Sequence, residues 1–90
     1  MVMRVSVDKS DPGFLMYADL LTDGYRVIVK LNGVEVKDII TADEKEGFVV
    51  LPRRSPEGRL VVYGDSYVYD RHKGDVKIIL ERVGDDRVLH

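Results

Sequence analysis

The dipeptide Asn32-Gly33 constrains this chain more than any other feature. It sits between Tyr25-Arg26-Val27-Ile28-Val29-Lys30-Leu31 and Val34-Glu35-Val36-Lys37-Asp38-Ile39-Ile40, two runs rich in β-branched residues. Asn-Gly tolerates positive φ at both central positions of a type I′ turn, whose twist matches that of two paired strands. A two-residue loop also fixes the register. Leu31 then faces Val34, Lys30 faces Glu35, Val29 faces Val36 and Val27 faces Asp38. One face gathers Tyr25, Val27, Val29, Leu31, Val34 and Val36; the other carries a Lys30–Glu35 pair worth about 0.2–1 kcal/mol. Asp38 breaks the alternation, because strict register points it inward while the next apolar residues are Ile39 and Ile40. A bulge near Asp38 would restore parity by moving Ile39 to the apolar face. The alternative is a strand end buried on both faces.

Period two continues on either side of this hairpin. Met3, Val5 and Val7 alternate with Arg4 and Ser6, as in a half-buried strand. Ser10-Asp11-Pro12-Gly13 interrupts that strand, with Asp11 suited to cap a helix and Pro12 to open it. Phe14, Tyr17, Ala18 and Leu21 would then form one helical face, with Gly24 at its exit. Thr41 to Gly47 reads as a polar turn before the short strand Phe48-Val49-Val50-Leu51, and Pro52 marks a strand end or an edge. Ser55-Pro56-Glu57-Gly58 has the chemistry of a type I turn with a bulge and joins residues 48–53 to 59–63. Gly64-Asp65 suits a type II′ turn. Its register sets Val62 opposite Tyr67, Leu60 opposite Tyr69 and Arg59 opposite Asp70, so Tyr67 and Tyr69 share a core-like face with Leu60 and Val62. Val76, Ile78 and Leu80 share one face of a last strand. The charged stretch 83–90 reads as a loosely held tail.

These elements predict a mainly all-β fold, an antiparallel meander of about six or seven strands. A sheet of that size with one apolar face must curl or be covered. A small barrel or a strongly bent sheet fits, with a short helix near residues 12–21 plugging one end. Ninety residues are expected to make one β-rich domain over 1–82. There is no Cys, so disulfides and thiolate metal sites are excluded, and stability must come from apolar burial or from a partner. An apolar fraction of 44% argues against disorder despite 33% charged residues.

Function is far less constrained. Acids number 16 against 14 Lys plus Arg, a net charge of −2 that lacks the basic surplus of most nucleic-acid binders. No apolar run is long enough for a signal h-region or a membrane span, so the expected setting is cytoplasmic. His72 lies in a run of charges and His90 at the terminus; neither belongs to a triad pattern. Ser6, Ser10, Ser55 and Ser66 lack a nucleophile elbow. The reading is therefore not an enzyme, with no cofactor, since no Gly-rich phosphate loop occurs. Asp43, Glu44 and Glu46 crowd one turn without the spacing of a calcium loop, and read as a charged hairpin turn that resists edge aggregation. Asp65, Asp70 and Asp75 would meet at one rim only as the turn acids of any meander do.

One basic group stands out. Arg53, Arg54, Arg59 and Lys73 lie in adjacent hairpins beside Arg71, His72, Tyr63, Tyr67 and Tyr69. Basic residues interleaved with stacking aromatics on a curved sheet are how small β-barrels hold single-stranded nucleic acid. That is the alternative function.

Asp11-Pro12-Gly13, the stretch Tyr25 to Val36 with Leu31-Asn32-Gly33-Val34-Glu35-Val36, then Thr41-Ala42-Asp43-Glu44 and Gly47, resemble small uncharacterised β-rich proteins encoded in bacterial prophages. The resemblance implies an accessory or virion-related role and brings no active site with it. The leading expectation is thus a non-enzymatic structural or protein-interaction module, acting through a protein partner or self-association.

Overall fold

Asn32 and Gly33 both take positive φ, 53° and 84°, as a type I′ turn requires. The computed structural model of the protein describes residues 2–83. In it β2 (Tyr25–Leu31) and β3 (Val34–Val36) pair in the expected register, Leu31 to Val34, Lys30 to Glu35 and Val29 to Val36. The turn also docks elsewhere. The Asn32 N–H donates to the Asp75 carbonyl (2.8 Å) and the Asp75 N–H donates to Asn32 Oδ1 (2.9 Å). Those two bonds lead into β9 (Val76–Arg82), which pairs along the whole of β2 from Leu31–Val76 to Tyr25–Arg82. The three strands form one sheet in the order β3-β2-β9.

Asp38 settles how the hairpin ends. β3 stops at Val36 and Asp38 adopts φ 58° in the left-handed region, with its side chain exposed. The expected bulge is replaced by a crossover: left-handed backbone turns residues 37–40 out of this sheet and into a second one. That second sheet has the order β1-β4-β5-β8, from β1 (Arg4–Ser6), β4 (Thr41–Asp43), β5 (Phe48–Pro52) and β8 (Tyr69–Lys73). Every pairing is antiparallel.

Between β5 and β8 the chain makes a two-leaved excursion. One leaf turns through Ser55–Gly58, where Gly58 has φ 85° and its N–H donates to the Ser55 carbonyl. The other is β6 (Val62–Tyr63) and β7 (Ser66–Tyr67), joined through Gly64 at φ 64°. The leaves meet at a closed ring of backbone hydrogen bonds: Arg53 N–H to Val68 (2.8 Å), Val68 N–H to Val61 (3.0 Å) and Val61 N–H to Arg53 (2.9 Å). Val62 does face Tyr67. Beyond Val68, however, the chain changes partner, so Tyr69 faces Pro52 and Asp70 faces Leu51 rather than Leu60 and Arg59.

The architecture is therefore mostly antiparallel β with one helix, as expected, but the described residues form nine strands in three sheets and no closed barrel. A meander would have carried each strand onto its predecessor; here the chain leaves and re-enters sheets at residues 37–40 and 74–75. The helix, α1 (Phe14–Thr22), begins after Gly13, with no side-chain cap. Asp11 instead accepts the Gly13 N–H (2.7 Å) and an Arg4 guanidinium. The buried helical position is Leu20 rather than Leu21, which is 49% exposed.

The core gathers Val5, Ala42 and Val49 from the larger sheet, Val29 and Val76 from the smaller one, and Leu20 from the helix. Val76, Ile78 and Leu80 share the inward face of β9 as expected. β1 is not half-buried. Val5 and Ser6 are both fully buried while Val7 is 45% exposed, because residues 8–13 fold over the second face of that strand. Of the expected tail, residues 84–90 lie outside the described residues; its first residue, Val83, is held by an N–H donated to the Gly24 carbonyl.

Candidate interaction surface

Strand pairing assigns the outer face of the larger sheet residue by residue. Across β1, β4, β5 and β8 the aligned rows are Arg4-Asp43-Phe48-Lys73, then Val5-Ala42-Val49-His72, then Ser6-Thr41-Val50-Arg71. Val5, Ala42 and Val49 of the middle row feed the core, while His72 is exposed. The flanking rows, with Tyr69, make an outer face of mixed aromatic and basic character.

That face is organised around Phe48 and Arg4. The Arg71 guanidinium lies 4.0 Å from the Phe48 ring centroid and that of Arg4 lies 5.4 Å away. Arg4 bonds Asp11 through Nε (2.9 Å) and Nη2 (2.7 Å), and Asp43 through Nη1 (2.9 Å). Its guanidinium holds the Asp11 carboxyl below the usual range and is itself raised by both carboxylates. Burial pushes Asp43 up, but the Glu46 N–H and Arg4 outweigh it, and the net shift is downward. Beneath the loop, the Ser6 and Thr41 hydroxyls share a hydrogen bond of 2.8 Å. A groove of about 680 Å³ runs over this face from Lys9 past Phe48 to Tyr69 and Arg71.

The four basic residues expected to act together are not gathered there. Arg53 is bidentate on Asp70 (2.9 and 2.6 Å), which lowers the Asp70 carboxyl. Arg54 donates to the Gly58 carbonyl (2.8 Å) and lies 3.6 Å from Asp38. Arg59 is exposed on the first leaf. Lys73 sits at the far end of β8, opposite Phe48, about 13 Å along the strand from Tyr69. Two of the four are thus paired with acids and the fourth is remote, which breaks up the expected basic stripe.

The acidic turn also acquires other tasks. Asp43 holds Arg4 and accepts the Glu46 N–H (2.8 Å). Glu44 accepts Met3 N–H at Oε1 and Ile78 N–H at Oε2, both at 2.8 Å. One carboxylate thereby ties β9 of the smaller sheet to the start of the larger one. Among the described residues, no three His, Asp or Glu converge as a metal site would require. Asp65 sits in the Gly64-Asp65 turn, Asp70 on β8 and Asp75 beside Asn32, so these acids do not form a cluster. His72 is exposed on β8, and His90 lies outside the described residues.

Leu60, Val62, Tyr67 and Tyr69, expected on a core-like face, are on the surface, and so is Tyr63 beside them. Tyr63 is 85% exposed, Val62 55%, Tyr67 52%, Tyr69 50% and Leu60 38%. β6 and β7 pack mainly on each other, so among the described residues this lobe has no apolar layer above it. The outline agrees: 47 Å by 29 Å by 26 Å, with a radius of gyration of 14.6 Å, against about 12 Å for a compact chain of this length. The Arg4–Asp11–Asp43 cluster carried no sequence signal, since its members are 7 and 39 residues apart.

No family model, no curated protein and no solved structure matches the chain. No helix among the described residues is long and apolar enough to cross a membrane.

Proposed function

We propose that the protein is a non-enzymatic interaction module whose two-leaved lobe makes its principal contact with another protein or a second copy. The observation that supports this is the exposure of Val62, Tyr63 and Tyr67 on one small lobe. Isolated two-stranded hairpins are marginal in water. The lobe instead keeps its shape through the backbone ring at Arg53, Val61 and Val68 and through turns set by Gly58 and Gly64. Its tyrosines are not needed to fill a local core. Large, stiff aromatic side chains with a polar tip are what binding surfaces favour, because they bury much area at small entropic cost. Such a module would suit the assembly setting that the prophage resemblance implies.

The pair of substitutions Tyr63→Ser and Tyr67→Ser tests the reading. Folding stability in urea should change by less than about 0.5 kcal/mol, as for surface positions. Sedimentation velocity over a wide concentration range, alone and with proteins that co-purify, should show an association that the double variant loses. A strictly monomeric wild type that co-purifies with nothing would refute the proposal. So would an association indifferent to both substitutions. A salt-dependent shift of single-stranded DNA that survives those substitutions and is lost on replacing Arg59 and Lys73 would favour nucleic acid instead.

A further inference from the structure

The two larger sheets present four edge strands, β1 and β8 in one and β3 and β9 in the other. Three are closed. On β1 the Ser6 N–H donates to the Gly13 carbonyl (3.2 Å). On β9 the Ile78 N–H is taken by Glu44. β3 has only three residues, and Val34 and Val36 turn their main-chain groups toward β2, leaving Glu35 alone outward.

β8 differs. Arg53 N–H bonds Val68 at one end of the β5–β8 ladder and Gly74 N–H bonds Gly47 at the other. Alternation between those bonds assigns Asp70 and His72 to the inner hydrogen-bonding positions. Tyr69, Arg71 and Lys73 therefore direct their N–H and C=O groups outward, and among the described residues nothing bonds them. Their side chains also share the outer face of the sheet, where Arg71 is held against Phe48 and has no carboxylate partner among the described residues.

We infer that the free edge of β8 accepts an extended acidic segment of a partner protein as an added strand. The inference rests on reading the protein as an interaction module but uses a different surface from the lobe's tyrosines. Edge addition supplies affinity through main-chain hydrogen bonds and specificity through alternate side chains. Charge decides the occupant. A second copy pairing antiparallel in the central register would set Arg71 against Arg71 and Tyr69 against Lys73, a like-charge contact that disfavours self-pairing. An added strand lies about 4.8 Å beyond β8, within reach of Arg71 and Lys73. The nearest acid facing outward on the ladder, Asp43 on β4, is two strands behind β8, hence about 14 Å from the added strand and beyond the roughly 8 Å Debye length of physiological salt. A carboxylate at alternate positions of the incoming strand thus meets Arg71 and Lys73 first.

The probe is a short, capped, fluorescein-labelled peptide alternating glutamate with valine. Binding measured by anisotropy should weaken about tenfold or more when lysine replaces glutamate, and equally on Arg71→Glu with Lys73→Glu. N-methylation of alternate peptide amides should abolish it, and the Tyr69, Arg71 and Lys73 amides should gain exchange protection in the complex. Binding insensitive to N-methylation, or protection appearing elsewhere, overturns the inference, as does no binding at low salt. Tyr63→Ser with Tyr67→Ser should leave peptide binding intact. If the lobe's association persists while the peptide fails, only the β8 edge is refuted; the reverse pattern refutes the lobe alone.

Discussion

Glu44 is the position at which one substitution should separate the two main sheets energetically. Its carboxylate accepts two backbone N–H groups, from Met3 and Ile78, at 2.8 Å each. Hydrogen bonds to a charged group contribute about 1.5–3 kcal/mol apiece. Both lie in partly buried surroundings, so water recovers part of the loss when the carboxylate is removed, and the lower end applies. Glu44→Ala should then cost about 2–3 kcal/mol in total. A domain of this length has roughly 5–13 kcal/mol of stability, and each kcal/mol shifts Tm by about 4–8 °C. The expected fall is therefore about 10–20 °C. Glu44→Gln keeps one acceptor but turns an amide N–H toward the second backbone donor, so its cost should be intermediate, about 1–2 kcal/mol.

Urea unfolding gives the totals, and amide exchange gives the mechanism. Ile78 and Leu80 both direct their N–H groups away from β2, as the neighbouring bonds from Asn32 to Asp75 and from Val83 to Gly24 require. Only the Ile78 group meets Glu44. In the parent protein Ile78 should exchange much more slowly than Leu80; in Glu44→Ala the two should become alike. An unprotected Ile78 in the parent, or a loss below about 0.5 kcal/mol, the range of ordinary surface substitutions, would rule out this role for Glu44.

Acid should expose the Arg4 cluster. Asp11 and Asp43 both have depressed folded-state values, so the unfolded chain binds their protons first, near pH 3.9. Their contribution is full above about pH 5 and is lost as pH falls through the folded values; Arg4→Met should flatten that slope in urea titrations at pH 6 and pH 3. Gly74→Ala places a Cβ 2.7 Å from Asn32 Oδ1 and 2.8 Å from Leu31 Cδ1. It should cost about 1–3 kcal/mol through overpacking, and a Tm within 2 °C of the parent, well short of the 4–8 °C per kcal/mol expected, would contradict the docking of the Asn32 turn. Asp38→Val should cost about 1–2 kcal/mol in urea unfolding because a β-branched residue resists left-handed φ, whereas Asp38→Gly should be neutral or better. A harmless Asp38→Val would contradict the crossover geometry.

What was legible in the sequence was local chemistry with a conformational demand. Asn32-Gly33, Gly58 and Gly64 each needed positive φ, and each turn formed as its residues require. Register followed only as far as the turn controlled it. From Gly64 the pairing held to Val62–Tyr67 and failed at Val68, where Arg53 competes for the same carbonyl from a distant part of the chain. Strand alternation misled for β1, because Ser6 is buried by a loop folding back over it. It misled for Tyr67 and Tyr69 in the opposite sense. An apolar stripe has the same period whether a second layer covers it or not. The pairing of Arg4 with Asp11 and Asp43 is likewise a product of topology, and no spacing announces it.

Protection is unevenly distributed over the sheet edges. Closing an edge costs specific residues. At β1 the Gly13 carbonyl approaches Ser6, and a Cβ on Gly13 would lie 2.9 Å from the Arg4 carbonyl oxygen, so only glycine fits that approach. At β9 closure takes a carboxylate at Glu44 with both oxygens committed. Among the described residues no comparable device stands at β8, where Arg71 and Lys73 are left to deter its own kind. The exposed tyrosines lie on the same side of the molecule, since Tyr69 is the first residue of β8 and the hairpin carrying Tyr63 and Tyr67 leads directly into it. Among the described residues, edge protection and aromatic burial are therefore absent together at one end, while at the other the inner faces of the helix and of the β2–β9 ladder pack on the core. Marginal small domains do not leave apolar area and an open strand edge side by side without a compensating contact. That coincidence, more than either feature alone, supports placing the proposed contacts at the β8–lobe end.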